Sequence, residues 1–251
     1  MMKIAFSSLC GKYIDDIIAI AEKNQYKSIE WDMNFIPPSL SESRITSFKR
    51  EMDLKGLDIY YHLPYSFFEI GHPLENIRIS SLNTLQRYLQ FISRLGGSIA
   101  VVHVGYVDGC VFEDTYSNLK ILAKYADSLN ISLCIENLIK GLTTNFDYLT
   151  AFLSINNVFL CLDTGHAHVV GKTNPIFLQQ VNSLLGKIKH SHVYYSEDSN
   201  FKHIPFSQID LQHSELIRIL SSVKHMTFTM ELDSLDTQII QSTLLKQYLG
   251  I

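Results

Sequence analysis

The sequence predicts an α/β protein in which eight parallel strands, each followed by a helix, close into one barrel. The chain has 251 residues, and such a barrel needs roughly 250 residues. Short apolar runs alternate with longer amphipathic runs, and no linker divides them. Near-continuous apolar strands are typical of parallel sheets that helices cover on the outer face. We therefore expect a single (β/α)8 TIM barrel, with one domain over residues 1–251.

The alternation predicts each element in order. The strands are the short apolar runs rich in β-branched and aromatic residues: Ile4–Ser7, Ser28–Trp31, Asp58–Leu63, Ile99–Val104, Ile131–Glu136, Val158–Asp163, Ile188–Tyr195 and Met226–Glu231. The helices are the amphipathic runs between them: Asp15–Lys23, Ser41–Lys55, Leu74–Leu95, Glu113–Leu129, Phe146–Ser154, Pro175–Leu185, His213–Ser221 and Thr237–Tyr248. Ser41 is a suitable N-cap and Gly56 a suitable stop for the second helix. No G-x-G-x-x-G fingerprint follows the first strand, which disfavours an open dinucleotide-binding sheet.

Composition narrows the class of protein. Hydrophobic residues make up 46% of the chain and charged residues 18%, a balance typical of a soluble globular domain. The net charge is −4, from 21 basic and 25 acidic residues, which gives no support to a dedicated DNA-binding protein. The sequence predicts no signal peptide and contains no run of about 18 apolar residues, so no membrane span is expected. Cys134 and Cys161 lie in apolar strands without a Cys-x-x-Cys motif, which favours the reducing cytoplasm.

Polar side chains lie at or near the C-terminal ends of six successive predicted strands. In order they are His62, His103, Glu136, Asp163, His192 and Glu231. Taken singly, each has a structural explanation as a hydrogen-bonded histidine or a helix-capping carboxylate. In a barrel, however, these strand ends converge on one mouth, where buried groups of like charge repel each other unless they are neutralised. Mixed histidine and carboxylate sets suit Zn²⁺, Mn²⁺, Fe²⁺ or Co²⁺, so the pattern predicts a divalent metal site.

At these residues the sequence resembles the xylose-isomerase-like TIM-barrel superfamily, along essentially the whole chain. That superfamily includes sugar and sugar-phosphate isomerases and epimerases, and endonuclease IV. The strongest local match is Leu162-Asp163-Thr164-Gly165-His166, and further matches are Ile135-Glu136-Asn137, His190-Ser191-His192-Val193 and Met230-Glu231. The resemblance implies that Glu136, Asp163, His192 and Glu231 form the shared metal site.

Two further motifs resemble endonuclease IV in particular. They are His62-Leu63-Pro64-Tyr65 on the third strand and Val102-His103-Val104-Gly105 on the fourth. In that family the two histidines hold another zinc together with a bridging glutamate, which corresponds to Glu136. The resemblance therefore implies one or two ions per chain.

A third metal of endonuclease IV is matched only in part. His166 and His203 correspond to two of its three ligands. The third ligand is an aspartate two residues before the last histidine, and here that position is Phe201, which cannot bind a metal. Asp198 is the carboxylate nearby in the sequence that could replace it.

Two kinds of chemistry fit these residues. In a sugar or sugar-phosphate isomerase or epimerase, the metal would polarise a carbonyl and stabilise an enediolate. Glu136 and Glu231 would then act as general base and general acid, and His166 would orient the substrate. Epimerases of the superfamily commonly carry an arginine shortly after the seventh-strand histidine, but no arginine lies between His192 and His203.

The alternatives are an endonuclease IV-like phosphoesterase, a metal-dependent lyase or dehydratase, and a non-catalytic metal-binding barrel. The phosphoesterase would act on abasic-site DNA or on a small phosphate ester, and the acidic net charge disfavours DNA. The expected partner is a small carbohydrate or sugar phosphate, with no membrane. Candidate substrate-binding residues are Tyr65, Asn137, Trp31 and Lys202. The sequence predicts neither the oligomeric state nor the identity of the metal.

Overall fold

The structure is a computed structural model that describes residues 2–8, 14–34, 38–224 and 226–250. Its eight longer strands form a closed parallel barrel in the order β1-β10-β7-β6-β5-β4-β3-β2, which confirms the predicted (β/α)8 TIM barrel. These strands are β1 (Lys3–Ser7), β2 (Ser28–Asp32), β3 (Asp58–His62), β4 (Ile99–Val102), β5 (Ser132–Glu136), β6 (Val158–Asp163), β7 (Ile188–Val193) and β10 (Thr227–Met230). Two short strands, β8 (Ser196–Glu197) and β9 (His203–Ile204), form a separate antiparallel hairpin.

Helices follow the barrel strands as the alternation predicts. They are α1 (Ile14–Lys23), α2 (Glu42–Lys55), α3 (Glu75–Leu95), α4 (Phe112–Ser128), α5 (Phe146–Leu153), α6 (Thr164–Thr173), α7 (Pro175–Val181), α8 (Gln208–His213), α9 (Glu215–Ser221) and α10 (Leu235–Leu249). The predicted limits of α2 are confirmed. The side chain of Ser41 accepts a hydrogen bond from the Arg44 N–H, and Gly56 adopts the left-handed conformation, with φ of 59°, that glycine adopts without steric cost.

The chain packs as two compact units, one of Met1–Trp31 with Cys161–Ile251 and the other of Asp32–Leu160. In the first unit, β1 pairs in parallel with β10 and with β2, and β10 pairs with β7. In the second unit, β4 pairs in parallel with β3 and with β5. Both units have a closely packed interior, since Phe6 and Leu133 are each 0% exposed. That the whole chain forms one domain stays a prediction.

The segment after β6 differs from the prediction. Instead of one helix over Pro175–Leu185, helix α6 begins directly at the end of the strand, α7 is short, and a 3-10 turn covers Asn182–Lys187. Helix α6 begins there because Asp163 caps it, its Oδ1 accepting the His166 N–H at 2.6 Å. The histidines and glycines of α6 conceal the apolar periodicity on which a helix prediction depends.

Two other predictions are corrected. The predicted helix His213–Ser221 begins two residues later, as α9, because Ser214 caps it by accepting the Ile217 N–H, and the short helix α8 before it was not predicted. The predicted seventh strand ends at Val193, two residues early, and leads into the unpredicted β8–β9 hairpin. Within the part of the chain that the structure describes, no helix has both the length and the apolar composition needed to span a bilayer.

Candidate metal centre

Three predicted ligands of the first unit meet at the carboxyl ends of its strands. Asp163 ends β6, His192 lies near the end of β7, and Glu231 follows β10. One ligand atom from each lies within 4.8 Å of the other two. The Nδ1 atom of His192 is 2.8 Å from Glu231 Oε2 and 3.7 Å from Asp163 Oδ2. The side chains are nearly enclosed, at 0%, 0% and 7% exposed for Asp163, His192 and Glu231.

This donor set fits a divalent cation. Two buried carboxylates close to one imidazole nitrogen repel each other and lose hydration unless a positive charge lies between them. An imidazole with two carboxylates is a set that Zn²⁺ and other first-row divalent ions accept. Asp163, His192 and Glu231 are therefore suited to hold such an ion.

The opposite edge of the His192 ring contacts a carboxylate that the strand-end pattern did not predict. Glu30 of β2 is 1% exposed, and its Oε1 lies 3.0 Å from His192 Nε2. Its Oε2 also lies 2.5 Å from Nε2 of His190. Burial opposes ionisation of Glu30, but the charges of His192 and His190, together with their hydrogen bonds, outweigh burial and hold its pKa far below the ordinary range. A glutamate inside an otherwise apolar strand is the signal that could have identified it.

His166 is placed by the same capping contact that begins α6. Its Nδ1 lies 3.6 Å from Asp163 Oδ2, and its Nε2 lies 3.5 Å from Glu197 Oε2. The His166 side chain is 12% exposed, which leaves part of the ring accessible to a small molecule. The arrangement brings His166 next to Asp163 and next to Glu197, a residue outside the predicted set.

The β8–β9 hairpin supplies Glu197 and His203 from facing positions. These two residues are directly paired across the hairpin, and Glu197 Oε1 lies 4.0 Å from His203 Nε2. The Glu197 side chain is only 6% exposed, and its Oε2 makes no hydrogen bond to the described residues. The ring of His203 stacks on Tyr194 with centroids 4.2 Å apart. Two histidines, His166 and His203, thus lie on either side of one buried carboxylate.

Asp198, which could have replaced the missing third ligand, instead stabilises the turn of the hairpin. Its Oδ1 accepts the N–H groups of Asn200 at 2.8 Å and Lys202 at 3.0 Å, so it holds the turn of the hairpin. These backbone hydrogen bonds lower the pKa of Asp198. Phe201 lies in that turn with φ of 61° and is 64% exposed. The carboxylate that faces the histidines is therefore Glu197.

Three predicted ligands of the second unit also meet. The Oε2 atom of Glu136 lies 3.2 Å from His62 Nε2 and 3.1 Å from His103 Nε2. His62 Nδ1 lies 2.9 Å from the carbonyl oxygen of Leu63, and a carbonyl only accepts, so Nδ1 is the protonated nitrogen. In a neutral ring Nε2 then has the lone pair that can bind a cation, a pattern common for histidine ligands. His62, His103 and Glu136 form the second group of possible metal ligands.

A buried network holds the loops around these histidines. The Tyr65 ring stacks on His103 with centroids 4.5 Å apart and an angle of 26°, and its carbonyl accepts a hydrogen bond from the Tyr106 hydroxyl. Glu69, 2% exposed, accepts the N–H groups of Gly71 at 2.7 Å, Gly105 at 3.0 Å and Tyr106 at 2.8 Å. Burial and then the charge of Glu69 raise the pKa of Tyr106. The strand-end pattern did not predict Glu69 because this residue lies in a loop.

The remaining candidate substrate residues differ in exposure. Asn137 directly follows Glu136 and is 0% exposed, and Trp31 within β2 is 4% exposed. Lys202 lies in the exposed hairpin turn, where its backbone N–H reaches Asp198. Their roles in binding a substrate stay predictions.

Comparison with known proteins gives the family. Residues 18–244 match the family model of the xylose isomerase-like TIM barrel, so the chain belongs to that family. A relative by sequence is an uncharacterised protein of Methanocaldococcus jannaschii, which is 24% identical over 223 residues, or 89% of each chain.

Solved structures share the fold. A D-tagatose 3-epimerase-like protein superimposes with a TM-score of 0.78 at 19% identity, over 99% of this chain and 97% of that one. Endonuclease IV from Thermus thermophilus superimposes with a TM-score of 0.75 at 17% identity, over 99% of both chains. At these identities the likeness concerns the fold alone. The structures with this fold include sugar epimerases, a probable dehydratase and endonuclease IV.

Proposed function

We propose that this chain is a divalent-metal-dependent isomerase or epimerase that acts on a sugar or a sugar phosphate. The observation that carries the proposal is the buried group of Asp163, His192 and Glu231, with His192 Nδ1 2.8 Å from Glu231 Oε2 and 3.7 Å from Asp163 Oδ2. We add Glu136 as the fourth ligand because it ends β5, the barrel neighbour of β6, and because carboxyl ends of barrel strands carry the active sites of this fold.

The protein groups have distinct roles in this proposal. A bound cation would polarise the substrate carbonyl and stabilise the negative charge that develops on its oxygen. One of Glu136 and Glu231 takes a proton from the carbon beside the carbonyl. The other returns a proton to that carbon in an epimerase, or to the former carbonyl carbon in an isomerase. His166, the ring of which is partly accessible, donates a hydrogen bond to the substrate. Tyr65, Asn137, Trp31 and Lys202 complete the substrate contacts, and we expect the protein in the cytoplasm.

Proton exchange with solvent tests the proposed reaction directly. Protein loaded with Zn²⁺, Mn²⁺ or Co²⁺ is incubated in D₂O with ketoses and ketose phosphates, and the hydrogen beside each carbonyl is followed by NMR. We expect deuterium to enter that position for at least one substrate, and chelator or Asp163→Asn to abolish its entry. Asp53→Asn, an exposed carboxylate of α2, is the matched control and should remain active. Absence of exchange with every ketose in the fully loaded protein would contradict the proposal.

The second candidate function is a metal-dependent phosphoesterase, and one observation favours it. His62 and His103 both approach Glu136 Oε2, at 3.2 and 3.1 Å, and a proton-transfer enzyme with one metal does not need them. Two metal ions suit phosphate ester hydrolysis because they stabilise both the attacking and the leaving oxygen. Cleavage of abasic-site DNA or a small phosphate ester, lost in His62→Ala/His103→Ala, would support this function. Full ketose exchange in that double variant would support the isomerase or epimerase.

The hairpin group of His166, Glu197 and His203 extends the possible ligand set. The separations of 3.5 and 4.0 Å between Glu197 oxygens and the two Nε2 atoms exceed normal hydrogen-bond lengths. They are close to the spacing of two ligands that share one cation at about 2.1 Å. We propose Glu197 as the carboxylate that replaces the ligand missing at Phe201. A further ion there would bring the chain nearer to the phosphoesterase.

A further inference from the structure

We propose that Glu30 is a positioning residue that fixes the proton of His192 on Nε2 and so presents Nδ1 to Asp163 and Glu231. This inference rests on the proposed metal centre. It adds a residue to that centre that binds neither the cation nor the substrate. The contact links β2 to β7, which are separated in the sheet by β1 and β10.

The geometry gives the two nitrogens of His192 opposite surroundings. Nε2 lies 3.0 Å from Oε1 and 3.3 Å from Oε2 of Glu30, whereas Nδ1 lies 2.8 Å from Glu231 and 3.7 Å from Asp163. His192 is 0% exposed and Glu30 is 1% exposed. The ring is therefore held between one carboxylate on its Nε2 side and two carboxylates on its Nδ1 side.

The chemistry of a carboxylate decides which nitrogen carries the proton. An ionised glutamate only accepts hydrogen bonds, so a nitrogen in contact with Glu30 must be N–H. On the other edge of the ring, Nδ1 faces Asp163 and Glu231. A cation shared by these two carboxylates would take the place of a proton on Nδ1, so the ring would keep one proton, on Nε2, and its Nδ1 lone pair would face the cation. Carboxylate–histidine–metal arrangements of this kind orient the ring and raise the basicity of the ligand nitrogen.

Glu30 also accepts a hydrogen bond from His190, which explains why a residue with a single acceptor oxygen would not replace it. His190 and His192 lie two residues apart on β7 and therefore face the same side of the sheet. Nε2 of His190 lies 2.5 Å from Glu30 Oε2 and 3.0 Å from the Thr229 hydroxyl. Two acceptor oxygens thus receive two imidazole N–H groups. A glutamine has one acceptor oxygen and one NH₂ donor, so Glu30→Gln would force one of the two rings to move its proton to Nδ1.

The first test reads the proton position of His192 in the metal-free protein. The ring nitrogens of ¹⁵N-histidine-labelled protein are observed by NMR, and the His192 signals are assigned by their loss in His192→Gln. We expect a proton on Nε2 of His192 in the wild-type protein, and loss of the Nε2 proton from His192 or His190 in Glu30→Gln. A His192 ring without a proton on Nε2 in the wild-type protein would overturn the proposal, whether or not the variant folds.

The second test measures cation binding. Titration with Zn²⁺ should show affinity about 10–100-fold weaker in Glu30→Gln, the usual effect of losing such a partner. Thr229→Val is the matched control, because it removes a hydrogen bond of the same buried group without removing the contact to His192, and its affinity should be unchanged. Equal affinity of Glu30→Gln and wild type, or an equal loss in Thr229→Val, would overturn the proposal. If the wild-type chain bound no cation, the proposed function would fail, and the proton position of His192 would still decide the role of Glu30.

Discussion

Gly165 lies so close to the ring of Tyr194 that no side chain fits between them. A Cβ atom at Gly165 would overlap Cε2 of Tyr194, and this tyrosine is 0% exposed. The ring of Tyr194 also stacks on His203, with centroids 4.2 Å apart. The lack of a side chain at Gly165 therefore determines the position of Tyr194 and, through it, that of His203 in the hairpin.

Gly165→Ala should therefore displace Tyr194 and loosen His203. Overpacking of this kind costs about 1–3 kcal/mol, and we expect chemical unfolding to report a loss of stability of that size. Gly186→Ala is the matched control, because a Cβ atom there meets nothing within 4 Å, and its stability should barely change. Equal stability of the two variants would contradict the packing role of this contact.

Glu69→Gln should destabilise the protein by about 1–3 kcal/mol, the usual cost of leaving a buried polar group unsatisfied. The carboxylate accepts three backbone N–H groups, whereas an amide would direct its own NH₂ donor at one of them. Denaturant unfolding measures the loss. The control Glu51→Gln alters a partly exposed pair with Lys55 at 3.6 Å, and such pairs near the surface contribute little. A loss in Glu69→Gln no larger than that of the control would count against the anchoring role of Glu69.

Glu197→Gln should lower the number of ions bound per chain if the hairpin group holds a cation. The amide has no charge to offset a divalent ion, so the affinity of that position falls while the Asp163 group keeps its ion. Elemental analysis after loading with Zn²⁺ measures the count, and Glu215→Gln, an exposed carboxylate with a 61% exposed side chain, is the control. The same count in wild type and Glu197→Gln would show that Glu197 is not a ligand.

The stability of the protein should depend on pH through His168. Burial, and then the charge of Lys172, hold the pKa of His168 below its ordinary value, with Asp210 acting in the opposite direction. Below the unfolded pKa of about 6.5, the unfolded chain therefore binds more protons at this residue than the folded chain does. This contribution makes the free energy of unfolding fall as the pH is lowered from about 6.5 toward the folded pKa.

His168→Gln removes this proton uptake. Relative to wild type, the variant should gain stability when denaturation is repeated at about pH 5.5 instead of about pH 7.5, on either side of the ordinary histidine pKa. A difference between the two proteins that is the same at both pH values would contradict the assignment.

Much of the fold and part of the centre could be predicted from the sequence. The barrel is predictable because parallel strands covered by helices are apolar along their length. Asp163 and His192 are predictable because they lie at or near the ends of such strands. Glu30 was not predicted because it lies within a strand and not at its end. The order of polar and apolar residues along a strand does not reveal that the interior beside it is polar. Glu197 and Glu69 were not predicted because they lie in a hairpin and a loop. Backbone hydrogen bonds set the geometry of such segments and leave no periodic pattern in the sequence.

The count of metal ions per chain tests the central claim most directly. The protein is purified without chelator, loaded with Zn²⁺, Mn²⁺ or Co²⁺, and measured by elemental analysis beside His192→Gln, which removes the nitrogen 2.8 Å from Glu231. We predict at least one tightly bound ion in wild type and one ion fewer in the variant. Wild-type protein that binds none of these ions after loading would contradict the metal centre, and with it the proposed function.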